Sequence, residues 1–141
     1  MTRQTKQFMF KFLAIVFAIC ISIHSVGQDK ILRKQLITAN VESRIVKKVD
    51  VREINLQPGQ KTGYHKHPCP VIGYIVSGSV LFQVEGDTVK TLKAGDAFFE
   101  PANTPIAHFD NVSATESLKF IANYLVNEET ELIQMLPPKS K

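Results

Sequence analysis

Short stretches of alternating apolar and polar residues fill the chain between residues 49 and 126. In the clearest stretch, Val80, Phe82 and Val84 occupy every second position. Side chains two residues apart face the same side of a strand, so this spacing predicts strands with one buried face. The predicted strands cover residues 49–56, a stretch that begins near residue 63, and residues 72–77, 80–85, 88–92, 97–100, 106–109 and 119–126.

Glycine and proline residues separate these stretches. Pro58-Gly59 and Pro101 end strands, and tight turns are predicted at Gly78-Ser79, Gly86-Asp87 and residues 93–96. Many short strands with frequent turn signals and no helix between them are typical of a sandwich or barrel. The pattern therefore predicts an all-β domain.

Two segments outside this region have a different pattern. Residues 128–136 have helical spacing, with Leu132, Ile133 and Leu136 on one side, and Pro137-Pro138 ends the segment. Residues 28–48 carry a mixed signal that predicts a lead-in with a short strand. The expected order is thus a signal peptide at 1–27, the lead-in at 28–48, the β-barrel at 49–126, and a short C-terminal helix and tail at 127–141.

The first 27 residues have the layout of a secretory signal peptide. Three basic residues precede an apolar run at 12–23, and Ser25-Val26-Gly27 then offers a cleavage site before Gln28. The run is shorter than the roughly 20 residues of a membrane helix, although an uncleaved N-terminal anchor is the alternative interpretation. We expect a periplasmic or secreted protein with no stable membrane anchor after cleavage.

Cleavage changes the charge balance of the chain. The 17 Lys and Arg residues face 13 Asp and Glu residues, and removal of the three basic residues before residue 12 leaves 14 against 13. No basic stripe remains that would indicate nucleic-acid binding. Cys69 is the only cysteine after residue 27, so no internal disulfide can form.

Three histidines remain in the expected mature chain, namely His65, His67 and His108. His65 and His67 are two residues apart, so on a strand their imidazoles share one face. Imidazole is a good ligand for divalent zinc, copper, nickel and iron, and three neutral histidines leave coordination positions open. The pattern predicts a metal site, and the alternative is three packing or surface histidines.

Two motifs around these histidines resemble those of small single-domain cupins. Gly59, His65, His67 and Gly78 match the first cupin motif, in which Gly, five residues and His-x-His are followed by Glu and Gly. Gly95, Pro101, His108 and Asn111 match in kind the second, which runs Gly, five residues, Pro-x-Gly, two residues, His, three residues, Asn. The resemblance covers about residues 49–125. It implies a double-stranded β-helix, or jelly roll, and a bacterial, exported protein.

The sequence departs from the two motifs at several positions. The glutamate ligand of the family would fall at Val71 or Ile72, and neither residue can bind a metal ion. Asn103 stands where a glycine is usual, and His108 follows Pro101 with two extra residues. The resemblance then implies a three-histidine site of the kind found in some Fe(II) cupin oxygenases, with Fe²⁺ or Mn²⁺ favoured and Zn²⁺, Ni²⁺ or Cu²⁺ as alternatives.

Two further residues are candidates for catalysis. Glu100 is the acidic residue nearest the second motif, and it could be a replacement ligand, a partner for a histidine or a general base. Tyr74 could supply an acid, although both tyrosines near the histidines, Tyr64 and Tyr74, also suit the barrel wall. Cys69 is a further possible ligand beside its interpretation as a small buried residue.

These residues support more than one function. The first hypothesis is an exported metal-dependent dioxygenase-like enzyme that acts on a small organic substrate. The alternatives are a cupin that binds a metal or small ligand without turnover, and an isomerase of sugars or keto acids. The family resemblance also implies a homodimer, for which the segments Ile31–Thr38 and Glu128–Leu136 could serve.

Overall fold

The structure is a computed structural model that describes residues 30–138 together with residues 4 and 7. The predicted signal peptide and its cleavage site therefore lie outside the described residues, apart from residues 4 and 7. Within the described residues, no helix is long and apolar enough to cross a membrane. Residues 35–138 belong to one compact unit, and residues 30–34, which belong to the preceding one, form no helix or strand.

The predicted all-β fold is confirmed. Four strands form one antiparallel sheet in the order β1-β8-β3-β6, and five form a second antiparallel sheet in the order β5-β4-β7-β2-β9. The strands are β1 Lys48–Leu56, β2 His65–Lys66, β3 Val71–Ser77, β4 Ser79–Val84, β5 Lys90–Lys93, β6 Ala97–Glu100, β7 Pro105–Asn111, β8 Leu118–Val126 and β9 Gln134–Met135.

The two sheets enclose a core rich in phenylalanine. Along β8 every second residue is buried, as expected for a strand that covers a core with one face. The rings of Phe82, Phe98, Phe109 and Phe120 form a cluster with centroids 4.7–5.9 Å apart, in tilted and edge-to-face contacts that favour aromatic packing. Phe109 and Phe120 of this cluster also line the site described below.

Two residues show why the core closes as it does. Gly73 faces Phe98 across the β3–β6 ladder, and a Cβ atom added to Gly73 would lie 2.0 Å from the Phe98 ring. Only glycine therefore fits beneath this ring. Asn111 ties the end of β7 to its surroundings, since its side-chain amide donates to the carbonyls of Leu56, Gln57 and Glu116, and its Oδ1 accepts from the Ser113 amide.

The expected C-terminal helix is wrong. Residues 127–133 form bends and irregular backbone, and β9 follows as an edge strand that pairs with β2. A nine-residue helix is marginally stable on its own, and here the backbone groups find other partners. The Leu132 carbonyl accepts a hydrogen bond from His67, and the Leu136 amide donates to the Tyr64 carbonyl.

The short strand expected in the lead-in is also absent, because residues 30–47 contain no strand. Large apolar residues of this segment are exposed, including Leu36, Val41 and Ile45. Its one described backbone hydrogen bond to a core strand joins the Lys47 amide to the Val126 carbonyl at 2.9 Å, directly before β1. The apolar residues of this segment, which gave the weak strand signal in the sequence, therefore do not belong to a paired strand.

Candidate metal centre

Three buried side chains with metal-ligand chemistry meet between the two sheets. His65 lies in β2 and His67 directly follows it, whereas Glu100 ends β6 of the other sheet. One ligand atom from each residue lies within 4.8 Å of the others, and each residue is only 2–4% exposed. Two imidazoles and a carboxylate at this separation could hold one divalent ion.

Hydrogen bonds to backbone carbonyls fix the orientation of both imidazoles. His65 Nδ1 lies 2.7 Å from the Gly63 oxygen, and His67 Nδ1 lies 2.6 Å from the Leu132 oxygen. A carbonyl oxygen can only accept, so each Nδ1 must carry a proton and donate. The lone pair of each neutral ring is thus at Nε2, the arrangement that proteins use to prepare histidine ligands.

Glu100 lies directly opposite Val71 in the β3–β6 ladder. Side chains of residues opposite each other in an antiparallel pair share a face, with Cβ atoms about 5 Å apart. The carboxylate therefore reaches the site from the strand next to the position that the motif assigns to glutamate. The role of Glu100 as a replacement ligand, one of the alternatives raised by the sequence, is the one that this geometry favours.

The electrostatics of the two histidines differ. Burial disfavours the charged form of His67, but the hydrogen bond and negative charge of Glu100, whose Oε2 lies 3.1 Å from Nε2, outweigh it and raise the pKa of His67 above 6.5. Burial instead lowers the pKa of His65 below 6.5. Without a metal ion, His67 is therefore the imidazole that Glu100 stabilises as a cation, and His65 is held neutral.

A cavity of about 110 Å³ adjoins the three side chains. Apart from these three side chains, Thr62 and Tyr124 are the polar residues of its wall, and the apolar lining residues are Ile54, Phe109, Phe120, Ala122 and Ile133. A space of this size suits a small ligand.

Tyr124 is a site residue that the sequence prediction missed. Burial and the charge of Glu100 raise the pKa of its phenol to about 12, so the hydroxyl stays protonated at neutral pH. Its ring meets His67 edge-on, with centroids 5.6 Å apart. The alternation of apolar residues in β8 could have assigned Tyr124 to the inner face, because Phe120 and Ala122 share its phase.

His108 is not part of the group that the structure assembles. In the β4–β7 ladder Val84 pairs with Ile106 and Gln83 with His108, so Ala107 is an extra residue in a β-bulge. The bulge turns Phe109 into the core and His108 outward, where 42% of its side chain is exposed and Nδ1 lies 3.0 Å from Asp110.

The motif spacing gives the reason for this position of His108. Counted from Pro101 without the two extra residues, the histidine of the second motif falls on Ile106, which is fully buried and pairs with His65 in the β2–β7 ladder. The structure therefore brings His65 and His67 together with Glu100, and His108 lies outside this group.

The remaining candidates lie elsewhere. Tyr74 is on the outer face of β3 and is exposed, and the hydroxyl of the half-buried Tyr64 donates to Glu85. Cys69 is fully buried outside the group, and burial raises the pKa of its thiol. Asn103, which replaces the usual glycine, adopts the left-handed conformation with φ of 58°, and its amide donates to the His67 carbonyl at 2.7 Å. Asparagine tolerates this conformation better than most residues.

The comparison with known families gives a match that includes the segments bearing His65, His67 and His108. The family model described as the cupin domain matches residues 52–124, which is more than half of the chain. The chain belongs to the cupin family. The match ends before residues 127–136, so the segment that supplies Leu132 and Ile133 to the site of this cupin lies outside it.

Solved structures support the same fold. The cupin resembles a DMSP lyase from Ruegeria pomeroyi with a TM-score of 0.56 and 22% identity, over 66% of this chain and 45% of the lyase. It resembles a cupin-like protein from Thermotoga maritima with a TM-score of 0.53 and 25% identity, over 62% and 64% of the two chains. It resembles an oxalate oxidase in complex with the substrate analogue glycolate with a TM-score of 0.53 and 22% identity, over 62% of this chain and 46% of the oxidase.

This cupin thus spans about half the length of the lyase and of the oxidase. At these identities the similarity establishes the fold and leaves substrate and reaction open. A comparison with curated proteins gives no match.

Proposed function

We propose that this cupin binds a divalent transition-metal ion through His65, His67 and Glu100 and acts as a metal-dependent oxygenase on a small organic substrate. The observation that carries the proposal is the buried group of two imidazoles and one carboxylate beside an apolar cavity. Two histidines and one carboxylate with open coordination positions are typical of non-haem Fe(II) oxygenases. Fe²⁺ is therefore the metal we favour, with Mn²⁺ next.

The residues present fit such an ion. Both imidazoles have their Nδ1 atoms engaged by carbonyls, and the buried carboxylate has an Nε2 atom as its hydrogen-bonding partner. A buried carboxylate requires a positive partner, either a protonated His67 or a cation. When bound, the ion would supply a redox-active Lewis acid at which substrate and dioxygen meet.

The chain itself would hold and shield the substrate. Phe109, Phe120 and Ala122 give the cavity of about 110 Å³ an apolar wall, which suits a small organic substrate. The protonated hydroxyl of Tyr124 can donate a hydrogen bond to a substrate oxygen beside Glu100 and His67. Tyr124 thereby takes the role that the sequence suggested for Tyr74.

Metal content and oxygen uptake test the proposal. Purified protein would be loaded with Fe²⁺ under anaerobic conditions and analysed by mass spectrometry for bound metal. Oxygen consumption would then be followed with acetylacetone, a short mercaptocarboxylate and a short 2-hydroxycarboxylate. We expect one ion per chain, its loss in His65→Ala, and its retention in His108→Ala, the matched control on the outer face.

The outcomes separate the competing functions. Oxygen uptake that depends on His65 and Glu100 supports an oxygenase. A bound ion with no turnover of any probe would indicate a binding protein, and substrate loss without oxygen uptake would indicate an isomerase or another non-oxidative enzyme. Wild-type protein that retains no metal after loading would overturn the proposal as a whole.

A further inference from the structure

A second cavity lies apart from the metal centre, between the lead-in and the turn that follows β6. Its volume is about 260 Å³, and it is lined by residues 40–44 and 101–104 together with Pro70 and Phe99. We call it the outer cavity. All of its lining residues belong to the compact unit that begins at residue 35.

The outer cavity is separate from the cavity beside the metal centre, since the two share no lining residue. Phe99 precedes Glu100 in β6, and adjacent residues of a strand face opposite sides of the sheet. Glu100 is directed to the core side and Phe99 to the outer side. A ligand in the outer cavity would therefore lie across the sheet from the metal centre.

Hydrogen bonds tie both walls of the outer cavity to the core. In the lead-in, Arg44 donates to Glu129, and the Lys47 amide donates to the Val126 carbonyl at 2.9 Å. In the opposite wall, the Asn103 amide donates to the His67 carbonyl at 2.7 Å. The cavity is thus formed by anchored segments.

Arg44 brings a partly unsatisfied cation to this cavity. Its side chain lines the cavity and is only 21% exposed. Nη2 donates to Glu129, whereas Nε is buried and has no hydrogen-bond partner among the described residues. A guanidinium has several N–H donors and no acceptor, and native proteins rarely leave a buried donor unpaired. Arg44 can therefore serve a ligand that carries an acceptor.

The charges around Arg44 favour a carboxylate as that acceptor. Glu129 is already engaged at both oxygens, because Oε1 accepts from Arg44 and Oε2 accepts from the Asn127 amide at 2.7 Å. Glu42 also lines the cavity, but it is exposed, so water and salt screen its charge. Hydrogen bonds between a guanidinium and a carboxylate are charge-assisted and stronger than those to a neutral acceptor.

The remainder of the wall suits an apolar ligand body. The ring of Phe99 is half-buried, and Val41, Pro70, Pro101 and Ala102 add further apolar groups. An aromatic ring of a ligand can stack on a phenylalanine or meet it edge-on. An apolar wall with a few polar groups that fix orientation is typical of small-molecule sites.

We propose that the outer cavity is a second ligand site, which binds a small monocarboxylic acid with an apolar, ring-shaped body. The carboxylate accepts hydrogen bonds from Arg44, and the ring packs against Phe99 and Pro101. This site has its own residues and does not depend on an ion at His65, His67 and Glu100.

Titration of the nitrogen-labelled full chain with benzoate, followed by two-dimensional amide NMR, tests the proposal. We expect saturable shifts of the Arg44 and Asn103 amides in wild type and, with the same dissociation constant, in His65→Ala. The second protein excludes binding of benzoate to a metal ion. Benzamide, which has the same ring without the charge, should bind at least about tenfold more weakly.

Three variants assign the interaction to Arg44. Arg44→Gln should weaken benzoate binding at least about tenfold, since it removes the cation. Glu129→Gln removes the ion-pair partner but keeps Arg44, and benzoate binding should persist. Glu42→Gln, the matched control, removes an exposed charge from the same cavity and should leave the dissociation constant unchanged.

Circular dichroism would verify that every variant is folded, and the comparison of benzoate with benzamide needs only the wild type. Several results would overturn the proposal: no saturable shift in wild type, benzamide binding as tightly as benzoate, undiminished binding in Arg44→Gln, or shifts that disappear in His65→Ala. Loss of binding in Glu129→Gln as complete as in Arg44→Gln would also overturn it, because the ion pair would then have a merely structural role.

Discussion

At the scale of single residues, the position of the carboxylate distinguishes this site. The motif assigns a glutamate to the position of Val71, and the structure supplies Glu100 from the facing position of the next strand. Because the two side chains share a face, a carboxylate on either strand can reach the same region. The site thus keeps the chemistry of the missing glutamate although the motif position is apolar.

This relation predicts the outcome of an exchange. Glu100→Gln should weaken metal binding by at least about 100-fold, since a ligand matters at least as much as the outer partners whose loss costs 10–100-fold. The double variant Val71→Glu with Glu100→Val moves the carboxylate to the motif position and should recover most of the affinity. Competition with a chromophoric chelator measures both, and a double variant as weak as Glu100→Gln would contradict the relocation.

The pH dependence of metal binding follows from the two histidines. His67 has its pKa raised by Glu100, so in metal-free protein it is protonated below that pKa and must lose its proton to bind a metal. His65, with its pKa lowered by burial, is already neutral above pH 6.5. Affinity should therefore rise with pH up to the raised pKa of His67 and then level off.

Calorimetric metal titrations in buffers of different ionisation enthalpy would count the protons that the protein releases when the metal ion binds. We expect about one proton at pH 6, where His67 is the charged histidine of the site, and fewer at a pH above the raised pKa of His67. The stability of the metal-free protein should also depend on pH, in the direction set by the pKa shifts of the two histidines. The His67–Glu100 contribution is present below pH 6.5 and is lost as the pH rises through the raised pKa, whereas the contribution of neutral His65 is lost as the pH falls below 6.5.

At the scale of elements, the segment from Asn127 to Leu136 closes the site. It contributes the Leu132 carbonyl to His67 and the Ile133 side chain to the cavity wall. Ile133 is 46% exposed although it lines the cavity, so it stands where the cavity meets solvent. A ladder of only two residue pairs joins β9 to β2.

Ile133 should therefore set the size of the ligands that this cavity admits. In cobalt-loaded protein titrated with acetate, butyrate and hexanoate, Ile133→Ala should improve hexanoate binding about tenfold, roughly the effect of one or two methylene groups of apolar contact. Acetate binding should change little. Visible absorption of the cobalt reports binding, and Gln134→Ala, the neighbouring residue with the opposite orientation, serves as the control. Equal chain-length profiles in both variants would contradict a role for Ile133.

At the scale of the whole molecule, the site joins the two sheets. β2 belongs to the five-stranded sheet and β6 to the four-stranded sheet, so an ion bound by His65, His67 and Glu100 would link both. The folded state would bind this ion far better than the unfolded chain, and the ion should stabilise the fold by mass action.

Removal of the metal should lower the unfolding temperature. At a free ion concentration 100 times the dissociation constant, the stabilisation is about 2.7 kcal/mol, or roughly 10 °C for a domain of this size. Calorimetry with and without a chelator would show this difference in wild type and in His108→Ala. In His65→Ala the chelator should have no effect, and a full shift in that variant would place the ion elsewhere.

The sequence by itself determined the fold class and two of the three groups of the candidate site. Alternation with a period of two and turn residues such as Gly78 act over a few neighbouring positions, so they predict the strands directly. The spacing of His65 and His67 is equally local, because residues two apart on a strand share a face wherever the strand lies. The family resemblance rested on these same positions.

Only the tertiary structure decided which groups complete the site. The pairing of Glu100 with Val71, the bulge at Ala107 that turns His108 outward, and the inward face of Tyr124 all depend on how distant strands pair. A one-residue change of register reverses the face of every later side chain. The two extra residues after Pro101 do not show by themselves that the register changes at Ala107. The C-terminal segment likewise forms no helix despite its helical spacing. It pairs with β2 and accepts a hydrogen bond from His67, and these tertiary contacts outweigh the weak helix preference of nine residues.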